Sequence, residues 1–166
     1  MDRFCRAALV VTLTMVCPTP AFAQFVNDRT ESAAGVRVGL TFLPQSLTRD
    51  VVSSPLSVIG FQAERFFPDN GSGVEIVNEV ITLLGMDESR PIGFLSLSWL
   101  IGVRSQGGAG FSAGPNLSVG GVGLMLTTGK TFRRGRLNVP VTVAVVPSPK
   151  SGSWAMVMTG FSLRSR

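Results

Sequence analysis

The sequence predicts an all-β fold, an antiparallel up-and-down β-barrel of about eight strands. Apolar residues recur at every second position through most of the chain beyond Ala34, which is the pattern of strands with two different faces. Short turn signals separate these segments at hairpin spacing, so alternating strands and helices are not expected. Only 15% of the chain is charged, against roughly 25% in ordinary globular proteins.

The chain opens with the pattern of a cleavable secretory signal peptide over residues 1–23. Two arginines precede an apolar run over residues 7–17, which has the length of a signal core and is too short to cross a bilayer as a helix. Prolines and small residues follow, so we predict cleavage between Ala23 and Gln24. A membrane anchor or a buried helix is the alternative for this segment. Export would leave residues 24–34 as an N-terminal extension and residues 35–166 as the barrel domain.

Composition excludes several classes of function. The chain contains no histidine and no tyrosine, so Ser-His-Asp or Cys-His catalysis has no imidazole to move the proton. Both cysteines lie in the predicted signal peptide, which leaves the mature chain without disulfides or Cys/His zinc sites. Carboxylates remain, but no spacing singles out a pair. We therefore predict no enzymatic activity, no metal and no cofactor, and no block of like charge indicates nucleic-acid binding.

The first two strands are predicted over residues 35–42 and 57–66. Their apolar rows are Val36, Val38, Leu40 and Phe42 in the first strand and Ile59, Phe61 and Ala63 in the second. The opposite rows include Arg37 and Glu64.

The third segment, residues 73–84, fits two interpretations. As a helix it would carry one apolar stripe, with Ser72 at its start and Gly85 at its end. As a strand its apolar row would be interrupted by Asn78. The strand is favoured because the flanking segments are strands and an eighth strand completes an even count.

Three further strands are predicted over residues 95–104, 109–117 and 122–131. The first of these is the clearest, with Leu95, Leu97, Trp99, Ile101 and Val103 on one face. The opposite rows of these segments are rich in glycine and serine, among them Ser96, Ser98, Gly110, Ser112 and Gly123.

The last two strands are predicted over residues 137–146 and 153–163. The former places Leu137, Val139, Val141, Val143 and Val145 on one face. The latter offers two rows, of which the one ending in Phe161 and Leu163 is favoured as the apolar face over the one that holds Trp154.

The small and polar second face suits the narrow interior of an eight-stranded barrel, with the apolar face directed to lipid. Charged residues on it are few, and we expect Arg37, Glu64 and Arg104 to pair inside the barrel, joined by Glu75 and Glu79 if residues 73–84 form a strand. About ten residues per strand is enough to cross a bilayer when the strand is tilted.

On this pattern the chain resembles small bacterial outer-membrane β-barrel proteins of the OmpA/OmpX-like kind. The resemblance covers residues 35–163 and includes the signal peptide, the glycine-rich turns and a last strand ending Thr159-Gly160-Phe161-Ser162-Leu163. It implies outer-membrane lipid and the outer-membrane assembly machinery as partners. Three features depart from the family pattern: Pro140 lies within a strand, where it removes a ladder donor and a bulge could accommodate it, few aromatic residues are available for the interfaces, and Arg164-Ser165-Arg166 follow the last strand.

Two groups of residues are candidates for membrane contact. Trp99 and Trp154 are predicted as anchors at the membrane interface, with packing as the alternative for Trp99. The arginines at 133, 134 and 136 are predicted to lie in one turn, where they would meet lipid headgroups or only water.

The leading hypothesis is an exported outer-membrane β-barrel with a structural or surface-interaction role and no catalysis. The alternative is a soluble periplasmic or secreted barrel that binds a small apolar ligand in its interior. Neither the ligand of such a barrel nor ion conduction by a membrane barrel is decided by the sequence.

Overall fold

The structure, a computed structural model, describes residues 31–43, 55–67, 71–87, 90–147 and 152–165. The predicted signal peptide and its cleavage site lie outside these residues. Eight strands are present, and each is antiparallel to the next along the chain. They are β1 (Glu31–Phe42), β2 (Leu56–Phe67), β3 (Val74–Asp87), β4 (Arg90–Ser105), β5 (Ala109–Ser118), β6 (Gly121–Arg134), β7 (Leu137–Val146) and β8 (Trp154–Ser165).

The strands form one closed barrel, in which β8 pairs with β1. The predicted up-and-down barrel of eight strands is therefore confirmed. Residues 73–84 lie within β3, and the helix alternative is wrong. The physical reason is that β3 forms a ladder with β2 and, from Val74 to Gly85, an unbroken ladder with β4, which a helix of the same residues would leave unpaired.

Two strands begin earlier than predicted. β1 starts at Glu31, inside the predicted extension, because residues from Ser32 onward pair with both β2 and β8. β4 starts at Arg90, five residues before the predicted segment, where it continues the hairpin with β3. Pairing with a neighbour extends these strands beyond the apolar alternation that predicts them.

Every strand alternates between a side chain that faces the interior and one that faces outward, as expected for a barrel. In β4, for example, Ser96, Ser98 and Arg104 are buried while Leu95, Leu97 and Trp99 are exposed. The apolar rows predicted from the sequence are the outward rows, and the rows of small and polar residues face the interior.

The two ends of the barrel differ in their connections. We call the end that holds the β2–β3, β4–β5 and β6–β7 connections, together with Glu31 and Ser165, the short-turn end. The opposite end, which holds the other four connections, is the loop end, and its longest connection is residues 43–55. Gly108 and Gly135 have φ angles of 84° and 63° in the tight turns of the short-turn end, where a side chain would be strained.

Pro140 in β7 and Pro115 in β5 are accommodated without a bulge. Pro140 keeps its place opposite Thr131 of β6, but the β7–β8 ladder has a gap between the pairs Asn138–Ser162 and Val141–Thr159. The register on either side of this gap is unchanged, so the bulge expected from the sequence is not used. Pro115 behaves in the same way: it pairs with β6 and leaves a gap in the β4–β5 ladder. Each proline thus interrupts only one of its two ladders.

Glycines bring β1 and β8 together where the barrel closes. Gly160 and Gly35 face the interior, and a Cβ atom on either would collide with a backbone carbonyl oxygen of the neighbouring strand, that of Val36 or Phe161. The close approach of the two strands therefore requires residues without a side chain at these positions.

Candidate functional site

The barrel interior is divided into an apolar half and a charged half. The apolar half lies toward the loop end and is filled by packed side chains of almost every strand. Its members are Leu56, Val58, Ile81, Leu83, Phe94, Leu100, Met125, Ala144, Val146, Trp154, Met156 and Met158. The rings of Phe94 and Trp154 meet edge to face, with centroids 5.2 Å apart. This packing closes the loop half of the interior.

The two tryptophans have opposite environments. Trp154 belongs to the apolar half of the interior and is only 4% exposed, so it is not positioned to contact a membrane, and its predicted anchor role is wrong. Alternation explains the error, because Trp154 lies on the same row of β8 as Met156 and Met158. Trp99 faces outward and is 54% exposed.

An ion network occupies the charged half of the interior. Arg104 Nη2 donates to Glu64 Oε1 at 2.5 Å and to Glu79 Oε1 at 3.3 Å. Gln62 Nε2 donates to both carboxylates, at 3.0 Å to Glu64 and 3.3 Å to Glu79, and its Oε1 accepts from Arg37 Nε. One amide therefore joins the two carboxylates to the second arginine.

Below this network, at the short-turn end, lies a second group of ion pairs. Glu75 accepts from Arg133 at 2.7 Å and from Arg164 at 3.3 Å, and Arg164 also pairs with Glu31. The ring of Phe66 separates the two groups: the guanidinium carbons of Arg164 and Arg104 lie 4.4 Å and 5.3 Å from its centroid. The charged half of the interior is thus one connected stack from Glu31 to Arg37.

Side chains leave little free volume in the charged half of the interior. A cavity of about 30 Å³ is lined by Arg37, Gln62, Glu79, Arg104 and several small polar residues. It has room for one or two water molecules. Nη1 of Arg37 and Nη1 of Arg104 are buried without a partner among the described residues, which makes them the natural donors to such water. A wider concavity of about 750 Å³ opens at the short-turn end beside Glu31, Gly135, Arg136 and Arg164.

The outer face of the barrel is a continuous apolar surface. Its large side chains are 36–82% exposed, with members on all eight strands. In the region of Trp99 a polar residue interrupts it: Asn78 faces outward on β3, and its Oδ1 accepts a hydrogen bond from Trp99 Nε1 at 2.7 Å. Asn78, which interrupts the apolar row predicted for this strand, therefore has its hydrogen-bond partner on the neighbouring strand.

The structure brings together the three interior charges named from the sequence, Arg37, Glu64 and Arg104, and adds both glutamates of β3. Sequence reasoning missed Gln62 as the bridge and Arg133 and Arg164 as interior residues. Arg133 was expected in a turn with its neighbours, but it is the last inward residue of β6 and pairs with Glu75. Strict alternation, extended by two residues at the end of the predicted sixth strand and by one at the end of the eighth, would have identified both arginines.

Comparison with models of protein families finds no match, and comparison with curated proteins finds no similar sequence. Among the described residues, no helix is long and apolar enough to cross a membrane. Within the same part of the chain, no three acidic, histidine or cysteine side chains are grouped so that they could hold a metal ion.

Proposed function

We propose that the protein is an exported outer-membrane β-barrel with a structural or surface-interaction role and no catalytic activity. The observation that carries the proposal is the direction of the two faces. Large aliphatic and aromatic side chains cover the outside, including Phe61, Trp99, Ile101 and Phe161, each more than half exposed. Contiguous apolar surface of this extent is rare on soluble monomers and marks contact with lipid or with another protein.

The interior supports the same proposal. A water-soluble barrel directs its apolar rows inward, whereas a membrane barrel has a polar interior and an apolar exterior band. Here the inward rows hold a buried group of ion pairs, Arg104 with Glu64 and Glu79, and a partly buried group, Glu75 with Arg133 and Arg164. In lipid, closure of the barrel would also satisfy the backbone groups of every strand.

Strand length fits a bilayer. The strands have between 10 and 16 residues, and a tilted strand of about 9–11 residues crosses the hydrocarbon core. The predicted signal peptide would take the chain across the inner membrane, and the outer-membrane assembly machinery would then insert it. With both ends of the barrel domain at the short-turn end, that end would face the periplasm, as is usual for such barrels.

The alternative of a soluble barrel with an apolar ligand gains no support from the interior. Apolar inward residues pack against one another in the loop half, and the cavity near Arg37 is polar and has a volume of only about 30 Å³. Ligand pockets for small molecules usually measure about 300–1,000 Å³. The concavity at the short-turn end has such a size, but Glu31, Arg136 and Arg164 line it, which does not suit an apolar ligand.

The experiment that tests the proposal is fractionation of a bacterium with two membranes that expresses the full chain. We expect the protein in the outer-membrane fraction after washes with high salt and carbonate, and we expect it to migrate differently on a detergent gel before and after boiling. Recovery in the soluble periplasmic fraction would refute the proposal. A variant lacking residues 1–23 is the matched control, since it should remain in the cytoplasm and show no heat-dependent migration.

A further inference from the structure

Acidic and basic residues are distributed differently between the inner and outer faces of the barrel. The four glutamates whose side chains the structure describes, Glu31, Glu64, Glu75 and Glu79, all lie on inward rows. Four arginines share the interior with them: Arg37, Arg104, Arg133 and Arg164. The described interior is therefore balanced in charge. The remaining basic residues whose side chains the structure describes, Arg65, Lys130, Arg134 and Arg136, are all exposed, and we call them the basic collar.

The basic collar belongs to one end of the barrel. Arg65 lies two residues before the end of β2, Arg134 is the last residue of β6, and Arg136 is in the turn that follows. Lys130 lies four residues before the end of β6, but its Nζ is 5.5 Å from the ring centroid of Phe132, which is closer to the short-turn end. Its ammonium thus extends toward that end, as lysines do near a membrane interface.

The collar has members on opposite sides of the barrel. In a closed ring of eight strands, three strands lie between β2 and β6 in either direction, so Arg65 and the β6 residues lie on opposite sides. On the loop half, the outward side chains that the structure describes include no charged residue. The outward basic side chains that the structure describes therefore all lie toward the short-turn end.

The collar charges are available to a ligand. None of the four pairs with a carboxylate among the described residues. Arg136 uses only its Nε, which donates to the backbone oxygen of Arg164 at 3.2 Å. Guanidinium groups bind phosphate through two parallel hydrogen bonds, and lysine adds a point charge.

We propose that the basic collar binds the headgroups of anionic glycerophospholipids in the leaflet at the short-turn end, an inference that rests on the proposed function. The apolar outer surface and the basic collar follow the same order as one leaflet of a bilayer, in which the phosphates lie beyond the acyl chains. Basic residues near an anionic membrane surface favour binding in this way. The phosphates of lipopolysaccharide are the competing source of the same chemistry, but they would lie at the loop end.

The test uses the full-length mature protein refolded in phosphatidylcholine vesicles that contain trace amounts of a spin-labelled lipid. The immobilised fraction of labelled phosphatidylglycerol is compared with that of labelled phosphatidylcholine. We expect a preference for phosphatidylglycerol of roughly fivefold, the effect of one basic residue near an anionic surface. This preference should disappear in 1 M salt, where the Debye length is on the order of 3 Å. It should also disappear in the variant R65Q/K130Q/R134Q/R136Q.

The matched control R65K/R134K/R136K keeps every charge and should keep the preference. Heat-dependent gel migration confirms folding of each variant, and the salt titration of the wild type tests the proposal even if the glutamine variant does not fold. Equal immobilisation of the two lipids by inserted wild-type protein, or a preference for added lipid A alone, would overturn the collar proposal and leave the membrane barrel intact. Failure of the wild type to insert into vesicles would instead overturn the proposed function and the collar with it.

Discussion

Trp99 and Asn78 form a hydrogen bond on the outer face of the barrel, with 2.7 Å between the indole Nε1 and the amide Oδ1. The two residues lie on neighbouring strands, β4 and β3, and are surrounded by exposed apolar side chains. A lone amide directed at hydrocarbon is costly unless it has a partner. The bond explains how this part of the apolar row tolerates a polar residue.

The first prediction tests this pair by a double-mutant cycle. If the outer face lies in lipid, Trp99→Phe should lower the free energy of unfolding by about 1–2 kcal/mol, because Asn78 would lose its donor and face lipid alone. Asn78→Leu should be neutral or stabilising, and the double variant should resemble Asn78→Leu. The measurement is urea unfolding of protein refolded in vesicles. Additive effects would mean that the bond contributes nothing.

The second prediction concerns the different environments of the two tryptophans. In vesicles of brominated lipid, the fluorescence of Trp99 in a Trp154→Phe variant should be strongly quenched, because its ring is outward and more than half exposed. Trp154 in a Trp99→Phe variant should be quenched little, since it is buried against Phe94. Strong quenching of Trp99 by aqueous iodide instead would contradict a lipid-facing outer surface.

The third prediction concerns the seam between β1 and β8. Gly160→Ala should destabilise the barrel by about 1–3 kcal/mol, because its new methyl group would collide with the carbonyl oxygen of Val36. Gly107→Ala is the matched control, since its methyl group would meet only Ser105 Oγ at 3.8 Å. The fraction that migrates as folded barrel on an unboiled detergent gel, measured against urea, compares the two. Equal stability of both variants would show that the seam has room for a side chain.

Most of the fold could be predicted because each strand has two chemically different faces. The period-two rows of β4 and β7 determine both the strands and the direction of every side chain in them. The same reasoning predicts that Trp154 faces inward once Val157 and Phe161 face outward, so its predicted role as an anchor ignored information already in the alternation. For residues 73–84 the sequence leaves both a helix and a strand open, because Asn78 breaks the apolar row and its partner Trp99 is supplied by another strand.

The partners within the interior could not be predicted in the same way. Whether Arg104 meets Glu64, Glu79 or Glu75 depends on the registers of β2, β3 and β4, which local sequence does not fix. The ends of strands are also decided by pairing: β1 begins at Glu31 because β8 continues to Ser165 beside it. This extension is what brings Arg164 and Glu31 together.

The fourth prediction tests the interior network. Arg104→Met should cost about 3–5 kcal/mol of stability, because Glu64 and Glu79 would share a buried site without their common partner. Adding Glu64→Gln should recover part of this loss, since it removes one of the two unpaired charges. Arg134→Met is the matched control on the outward face and should change stability by no more than about 0.5 kcal/mol. Urea unfolding in lipid gives all three values, and equal losses for Arg104→Met and Arg134→Met would contradict the network.

The fifth prediction places one charge at two depths on the same face of β7. Val143 faces outward away from both ends of the strand, between Thr128 and Val157, whereas Leu137 faces outward at the short-turn end. If the outer face lies in lipid, Val143→Arg should cost about 2–4 kcal/mol and Leu137→Arg about 0–1 kcal/mol, because the cost of an outward arginine falls toward the interface. Assembly in cells, read from heat-dependent gel migration of the membrane fraction, should fail for the first variant and succeed for the second. A water-exposed outer face would tolerate arginine equally at both positions, so normal assembly of both variants would rule out the membrane orientation.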